Sequence, residues 1–196
     1  MLRPSLPGIL ARMDNLPERI FIIGPMGAGK TTVGQRLANL LSYRFIDADH
    51  EIETRTGVDI PYIFEREGEV GFRRREAAII AELSQAHHIV LATGGGAILN
   101  KDTRQALQAR GLVIYLAASV PEQLHRTRHS THRPLLRTPD RQARLEALLA
   151  TREPLYREIA DWVIDTDGEQ PRHVARRLAE RLQPQNVTRT PPHASS

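Results

Sequence analysis

Gly24-Pro25-Met26-Gly27-Ala28-Gly29-Lys30-Thr31 fits the spacing G-x-x-x-x-G-K-[ST]. Glycines at those positions let the backbone curl until successive N–H groups point inward, and an inward row of N–H groups suits phosphate oxygens. A helix opening near Lys30 adds its positive N-terminal end, and Thr32 lies in its first turn. Lys30 can then reach the β- and γ-phosphates of a nucleoside triphosphate, and the Thr31 hydroxyl can ligate Mg²⁺. With glycine near 7% of average composition, a chance match in such a chain is on the order of one in a hundred. An apolar run precedes the motif and an amphipathic stretch follows it, which is the context a phosphate loop needs.

A phosphate loop alone leaves kinase, GTPase, helicase and transporter ATPase open. Three other stations narrow the choice. Asp47-Ala48-Asp49 follows an apolar run, so both carboxylates fall at one edge of a sheet. One can hold a metal-bound water and the other can accept a proton from a hydroxyl; equally, acids are welcome at any helix N-terminus. Gly94-Gly95-Gly96 allows close backbone approach and exposes N–H donors, or is simply a turn. Arg73, Arg126, Arg133 and Arg152 are scattered guanidinium groups suited to anions, although a lone arginine is usually on the surface.

The elements that must position these groups alternate. Apolar runs at Ile20–Ile23, Tyr43–Ile46, Ile89–Ala92, Leu112–Leu116 and Trp162–Ile164 read as five strands. Helical spacing covers Lys30–Leu41, Ala48–Arg55, Pro61–Glu67, Glu69–Ser84 and Thr103–Ala109. Pro121 opens another helix. Arg141–Ala160 reads as helix with a break at Pro154, and Pro171–Leu182 closes the pattern. Such alternation predicts an α/β fold with a parallel sheet covered by helices on both faces, and ligands at the carboxyl ends of the strands. Arg128 to Asp140 has much charge, two prolines and no apolar period, so it reads as an exposed loop.

The chain has 196 residues, enough for one such domain. Residues 1–18 read as a loose leader, 19–182 as the folded domain and 183–196 as a disordered tail, since both ends are rich in proline and lack a period. Cysteine is absent, which excludes disulfides and a thiolate zinc site and suits a reducing cytosol. No apolar run is long enough for a membrane span. Net charge is +4 and the pI about 9.9, carried almost wholly by arginine. That balance suits anionic small molecules or nucleic acid. Aromatic residues are only 5%, which speaks against a nucleic-acid surface.

Taken together and in order, the phosphate loop, Asp47-x-Asp49, Glu67-Gly68-Glu69 leading to Phe72-Arg73, Gly94-Gly95-Gly96, Arg133-Pro134-Leu135-Leu136 and Arg152-x-Pro154-Leu155-Tyr156 resemble the shikimate kinase family. The resemblance covers about Arg19 to Leu182. It implies a P-loop NTPase, nucleoside-monophosphate-kinase-like three-layer fold: a five-stranded parallel sheet with a mobile lid, here about 128–140. It also implies transfer of the γ-phosphate of ATP to the 3-hydroxyl of shikimate, on the route to chorismate and the aromatic amino acids.

By position, Gly27, Ala28, Gly29, Lys30, Thr31 and Thr32 resemble the ATP phosphate site, with one Mg²⁺ on Thr31 and Asp47. Arg126 resembles the residue that packs on adenine and Arg133 the lid arginine that closes on the phosphates. Asp49, Arg73, Arg152 and the Gly94, Gly95, Gly96 loop resemble the shikimate site, with Asp49 as base and Lys30 and Arg133 stabilising the transferred phosphoryl. Partners expected on this reading are ATP and shikimate, with no nucleic acid and no membrane, for a cytoplasmic monomer. Asp167-Gly168-Glu169-Gln170 falls where the family makes a further adenine-side contact, in a register the sequence leaves open. The alternatives are a gluconate or nucleoside-monophosphate kinase of the same fold, or a nucleic-acid-binding ATPase.

Overall fold

The computed structural model describes residues 16–128, 134–136 and 138–183. Five strands form one sheet: β1 (Arg19–Ile23), β2 (Arg44–Asp47), β3 (Ile89–Ala92), β4 (Leu112–Ala117) and β5 (Trp162–Asp165). All neighbouring pairs are parallel, in the order β2-β3-β1-β4-β5. Central β1 places Ile22 opposite Ala92 of β3 and Ile114 of β4. The carboxyl ends of β1, β2 and β3 therefore lie side by side, and each runs straight into one of the motifs.

Among the described residues, seven helices cover the sheet: α1 (Lys30–Leu41), α2 (Ala48–Thr56), α3 (Ile60–Leu83), α4 (Lys101–Arg110), α5 (Val120–Thr127), α6 (Arg141–Ile159) and α7 (Pro171–Leu182). The period-two alternation of a strand splits the core in two. Ile20 and Ile22 join α1 and α7 through Val33, Leu37, Val174 and Leu178 on one face. Phe21 and Ile23 pack with Ile80 of α3, Leu107 of α4 and Tyr156 of α6 on the other. β1 is wholly buried from Ile20 to Ile23, as its continuous apolar run requires.

Leu16 packs against the first core, and the Tyr43 hydroxyl donates to the Pro17 carbonyl at 3.2 Å. The chain is thus already anchored just ahead of β1. The expected tail falls outside the described residues from 184 onward, as do most of the leader and the centre of the expected lid.

Two helices differ in detail from their sequence reading. The separate helices expected around Gly68 meet there with a kink, because Gly68 adopts φ 69, ψ −178, a conformation open only to glycine. The break expected at Pro154 does not occur. Pro154 lies inside an unbroken α6, and its missing N–H removes one bond to the preceding turn. Burial of Leu145, Arg152, Tyr156 and Ile159 holds the helix on either side of the gap. Two short 3₁₀ turns, Ala97–Leu99 and Pro134–Leu136, carry no periodic signal.

Candidate active site

The phosphate loop spans the gap between β1 and α1. Gly27 and Gly29 take φ 81 and φ 86, which turns the backbone back towards the helix. Gly29 is the N-cap of α1, with no side-chain cap and no acid in the first turn. The first N–H groups of α1 thus meet no competing side-chain cap, and the helix end favours an anion. Lys30 folds over the loop, and its Nζ donates to the carbonyls of Gly24 and Pro25 at 2.8 Å each.

Gly27 to Thr32 and Arg126 line one cleft of about 490 Å³ together with Thr166, Glu169 and Pro171. Arg126 bridges its two walls. Its guanidinium donates to the Gly27 carbonyl at 3.1 Å, to Thr166 Oγ1 at 3.1 Å and to the Thr166 carbonyl at 2.6 Å, and it pairs with Glu122 at 2.6 Å. The N–H edges are spent on the scaffold, which leaves stacking as the contact a guanidinium face can still offer.

Asp47 ends β2 and caps α2: its Oδ1 accepts from the N–H groups of Asp49 and His50 at 3.0 and 3.4 Å. Its other oxygen accepts from the Thr31 hydroxyl at 2.6 Å. A hydroxyl and a carboxylate in contact are hard oxygen donors of the kind Mg²⁺ takes. Among the described residues, no group of three or more His, Cys, Asp or Glu side chains is placed to hold a metal ion.

On the other side of the loop, Asp49, Arg73, Gly94, Gly95, Gly96 and Arg152 line a second cleft of about 250 Å³. Four separate elements bring them together: α2, α3, the turn after β3, and α6. The glycines are there for space. A methyl on Gly94 would run into Glu76 Oε1 and lie 2.8 Å from Asp49 Oδ1, and one on Gly96 would run into the Arg73 guanidinium. Apolar cover comes from Met26, Ile60, Phe64 and Phe72, and the Phe64 and Phe72 rings lie 4.8 Å apart. The kink at Gly68 joins the two helical stretches that carry these rings.

Sequence reasoning missed Glu76. It is 1% exposed, lines this cleft and pairs with Arg73 NH1 at 2.6 Å. Its spacing of three from Arg73 on one helix was the available signal. The two partners shift in the same direction. Arg73 is pulled down by burial, but Glu76 and Glu69 raise it above its ordinary value. An ion pair alone would lower Glu76. Burial instead pushes its carboxyl up, against the opposing pull of Arg73, Arg152 and Lys30. Burial holds the Arg152 guanidinium below its ordinary value, against the opposing pull of Tyr156, and nearby Arg73 adds to the lowering.

Arg133 lies outside the described residues, so its expected closure on the phosphates has no structural counterpart here. Thr166, Glu169 and Pro171 also escaped the sequence reading. Only the open register at Asp167–Gln170 hinted that the chain returns to the nucleotide side there. A larger cleft of about 710 Å³ along the open edge of β2 touches Thr31 and Asp47 but holds neither arginine of the second cleft nor its glycine turn.

The family model described as shikimate kinase matches residues 26–183. The chain belongs to the shikimate kinase family. The shikimate kinase of Halorhodospira halophila is 59% identical over 169 residues, covering 86% of this chain and 96% of that protein. The shikimate kinase of Methylococcus capsulatus is 57% identical over 161 residues, covering 82% and 90%. Among solved structures, the shikimate kinase of Acinetobacter baumannii in complex with shikimate superposes with a TM-score of 0.83 at 48% identity, covering 84% of this chain and 92% of the other. Shikimate kinase family membership confirms the resemblance and selects it over the gluconate, nucleotide and nucleic-acid alternatives. It also confirms the fold, a five-stranded parallel sheet with helices on both faces.

Proposed function

We propose that this chain transfers the γ-phosphate of ATP, with Mg²⁺, to the 3-hydroxyl of shikimate, giving shikimate 3-phosphate and ADP. One observation carries the reading in the chemistry of the site. The second cleft brings Arg73 and Arg152 together with the carboxylates of Asp49, Glu53 and Glu76 beside a phosphate loop, which matches an acceptor that bears one carboxylate and several hydroxyls.

Phosphoryl transfer is mainly positioning and charge neutralisation. Arg73 and Arg152 grip the acceptor carboxylate, and Glu76 holds Arg73 in register from behind. Asp49 orients the acceptor hydroxyl and takes its proton as the bond to phosphorus forms. The N–H groups from Gly27 to Thr32 and the Lys30 ammonium cradle the phosphates and offset the charge spreading over the transferred oxygens. Arg126 stacks on adenine. Thr31 and Asp47 would hold Mg²⁺, which would supply positive charge to offset that of the phosphates. Arg133, which lies outside the described residues, would add positive charge for the phosphates, as the family resemblance implies.

Among the described residues, no helix is long and apolar enough to cross a membrane. The enzyme on this reading acts in the cytoplasm as a monomer, on ATP and shikimate alone. Phosphorus NMR of the product from ATP, Mg²⁺ and shikimate tests it. A single phosphate monoester at the 3-position with stoichiometric ADP is expected; ADP without any shikimate ester would overturn it.

A further inference from the structure

Tyr156 is fully buried in α6, one turn beyond Arg152 on the same helix face. Its ring stacks on Tyr115 of β4, with centroids 4.9 Å apart and planes at 19°. Ring packing alone would be served equally by phenylalanine. The hydroxyl, however, donates to the carbonyl of Gly95, 61 residues away in the cleft wall. A buried hydroxyl needs such a partner, and here the partner belongs to the acceptor site.

Gly95 lines the second cleft and also lies against the start of the phosphate loop. A methyl there would stand 3.4 Å from the Gly24 carbonyl, 3.5 Å from the Met26 N–H and 3.6 Å from the Tyr156 hydroxyl. The Gly95 peptide therefore lies between the phosphate loop and α6. In a trans peptide the carbonyl and the following N–H point in opposite directions. A carbonyl anchored on Tyr156 sends the Gly96 N–H to the side away from α6. Gly96 lines the acceptor cleft, against the Arg73 guanidinium.

We propose that Tyr156 is a positioning residue for the acceptor: its hydroxyl fixes the Gly95–Gly96 peptide relative to Arg152, so that backbone donor and guanidinium meet one carboxylate together. The proposal rests on the shikimate reading above. Burial holds the phenol well above its ordinary pKa, so the hydroxyl stays a donor throughout the working pH range.

Tyr156→Phe removes one oxygen and keeps the stack on Tyr115. The KM for shikimate is expected to rise about three- to tenfold, the net worth of one hydrogen bond. kcat and the KM for ATP should stay within about twofold, because the lost contact serves binding of one substrate. Hydrogen exchange supplies a readout that needs no substrate. Amides of 94–97 should exchange faster in the variant while those of 27–32 do not change. An unchanged shikimate KM would overturn the proposal. So would a parallel rise in both KM values with faster exchange across both segments, which is what loss of general packing gives. If the native enzyme fails to phosphorylate shikimate, the functional reading falls by itself. Unaltered exchange at 94–97 would separately refute the role of Tyr156.

Discussion

The Thr31 hydroxyl donates to Asp47 Oδ2 at 2.6 Å, while Oδ1 of the same carboxylate caps α2 through the Asp49 N–H at 3.0 Å. One side chain thus ties the Thr31 hydroxyl of the phosphate loop to the helix that carries Asp49. The observed cap and the proposed metal role of Asp47 separate chemically, because the cap needs only an oxygen acceptor whereas support of a cation needs charge.

Asp47→Asn keeps the acceptor and loses the charge; Asp47→Ala loses both. Both should raise the Mg²⁺ concentration needed for half-maximal activity, by about 10- to 100-fold, as loss of an outer-sphere metal partner does. Only the alanine variant should also lose about 0.5–2 kcal/mol of stability, the worth of a helix cap. Mg²⁺ titration of activity and chemical denaturation of both variants check this. An unchanged Mg²⁺ requirement in Asp47→Asn would remove Asp47 from the metal site.

Gly94 and Gly96 leave room for Glu76, Asp49 and Arg73, so a methyl at either position displaces a group of the acceptor site. Misplacing a positioned group by about an ångström costs on the order of 10²-fold. Gly94→Ala and Gly96→Ala should lose about that much in kcat/KM for shikimate, with the KM for ATP near its native value. Gly95→Ala should cost less, since its methyl meets nothing closer than 3.4 Å. Equal losses at all three positions would mean that the turn serves folding and not the acceptor.

Glu76 makes stability depend on pH in a stated direction. Burial raises its folded-state pKa above the ordinary 4.5. Between those two values the folded protein keeps a proton that the unfolded chain has lost, so stability falls as pH rises through the window. The stabilisation is complete below about 4.5 and gone above the folded value. Glu76→Gln carries no such proton. Its stability relative to the native protein should therefore improve from pH 4.5 towards neutrality, read from denaturation midpoints over that range. A flat difference would show that pairing with Arg73 cancels burial, and one that worsens with pH would show that pairing outweighs it; either would contradict the expected direction.

In the donor half of this proposed site, the sequence made the phosphate loop legible because its residues are contiguous, whereas Arg126 and Thr166 reach the same cleft from far along the chain. A phosphate loop is a local motif, and Lys30–Leu41 and Ile89–Ala92 end where their residues say they should. The acceptor half draws on Asp49, Arg73, Gly95 and Arg152, which only the fold brings together; a family resemblance found them, while spacing alone did not. Glu76 and Tyr156 were not singled out as site residues: the spacing of Glu76 from Arg73 and the motif that ends in Tyr156 were present, but the partners that give each its place appear only in the fold. Pro154 misled for the converse reason. A local rule predicted a break, and burial of Arg152 and Tyr156 overrode it. Gly68 was read correctly as a boundary, since its backbone leaves the helical conformation there and the two helical stretches meet at a kink.

The central claim is that the cleft of Asp49, Arg73 and Arg152 selects shikimate as acceptor. A coupled ADP-release assay with ATP and Mg²⁺ offered shikimate, gluconate, AMP or CMP at equal concentration tests it most directly. Sustained turnover is expected with shikimate alone, and its loss is expected in Lys30→Ala. Turnover with gluconate or a nucleotide equal to or above that with shikimate would contradict it.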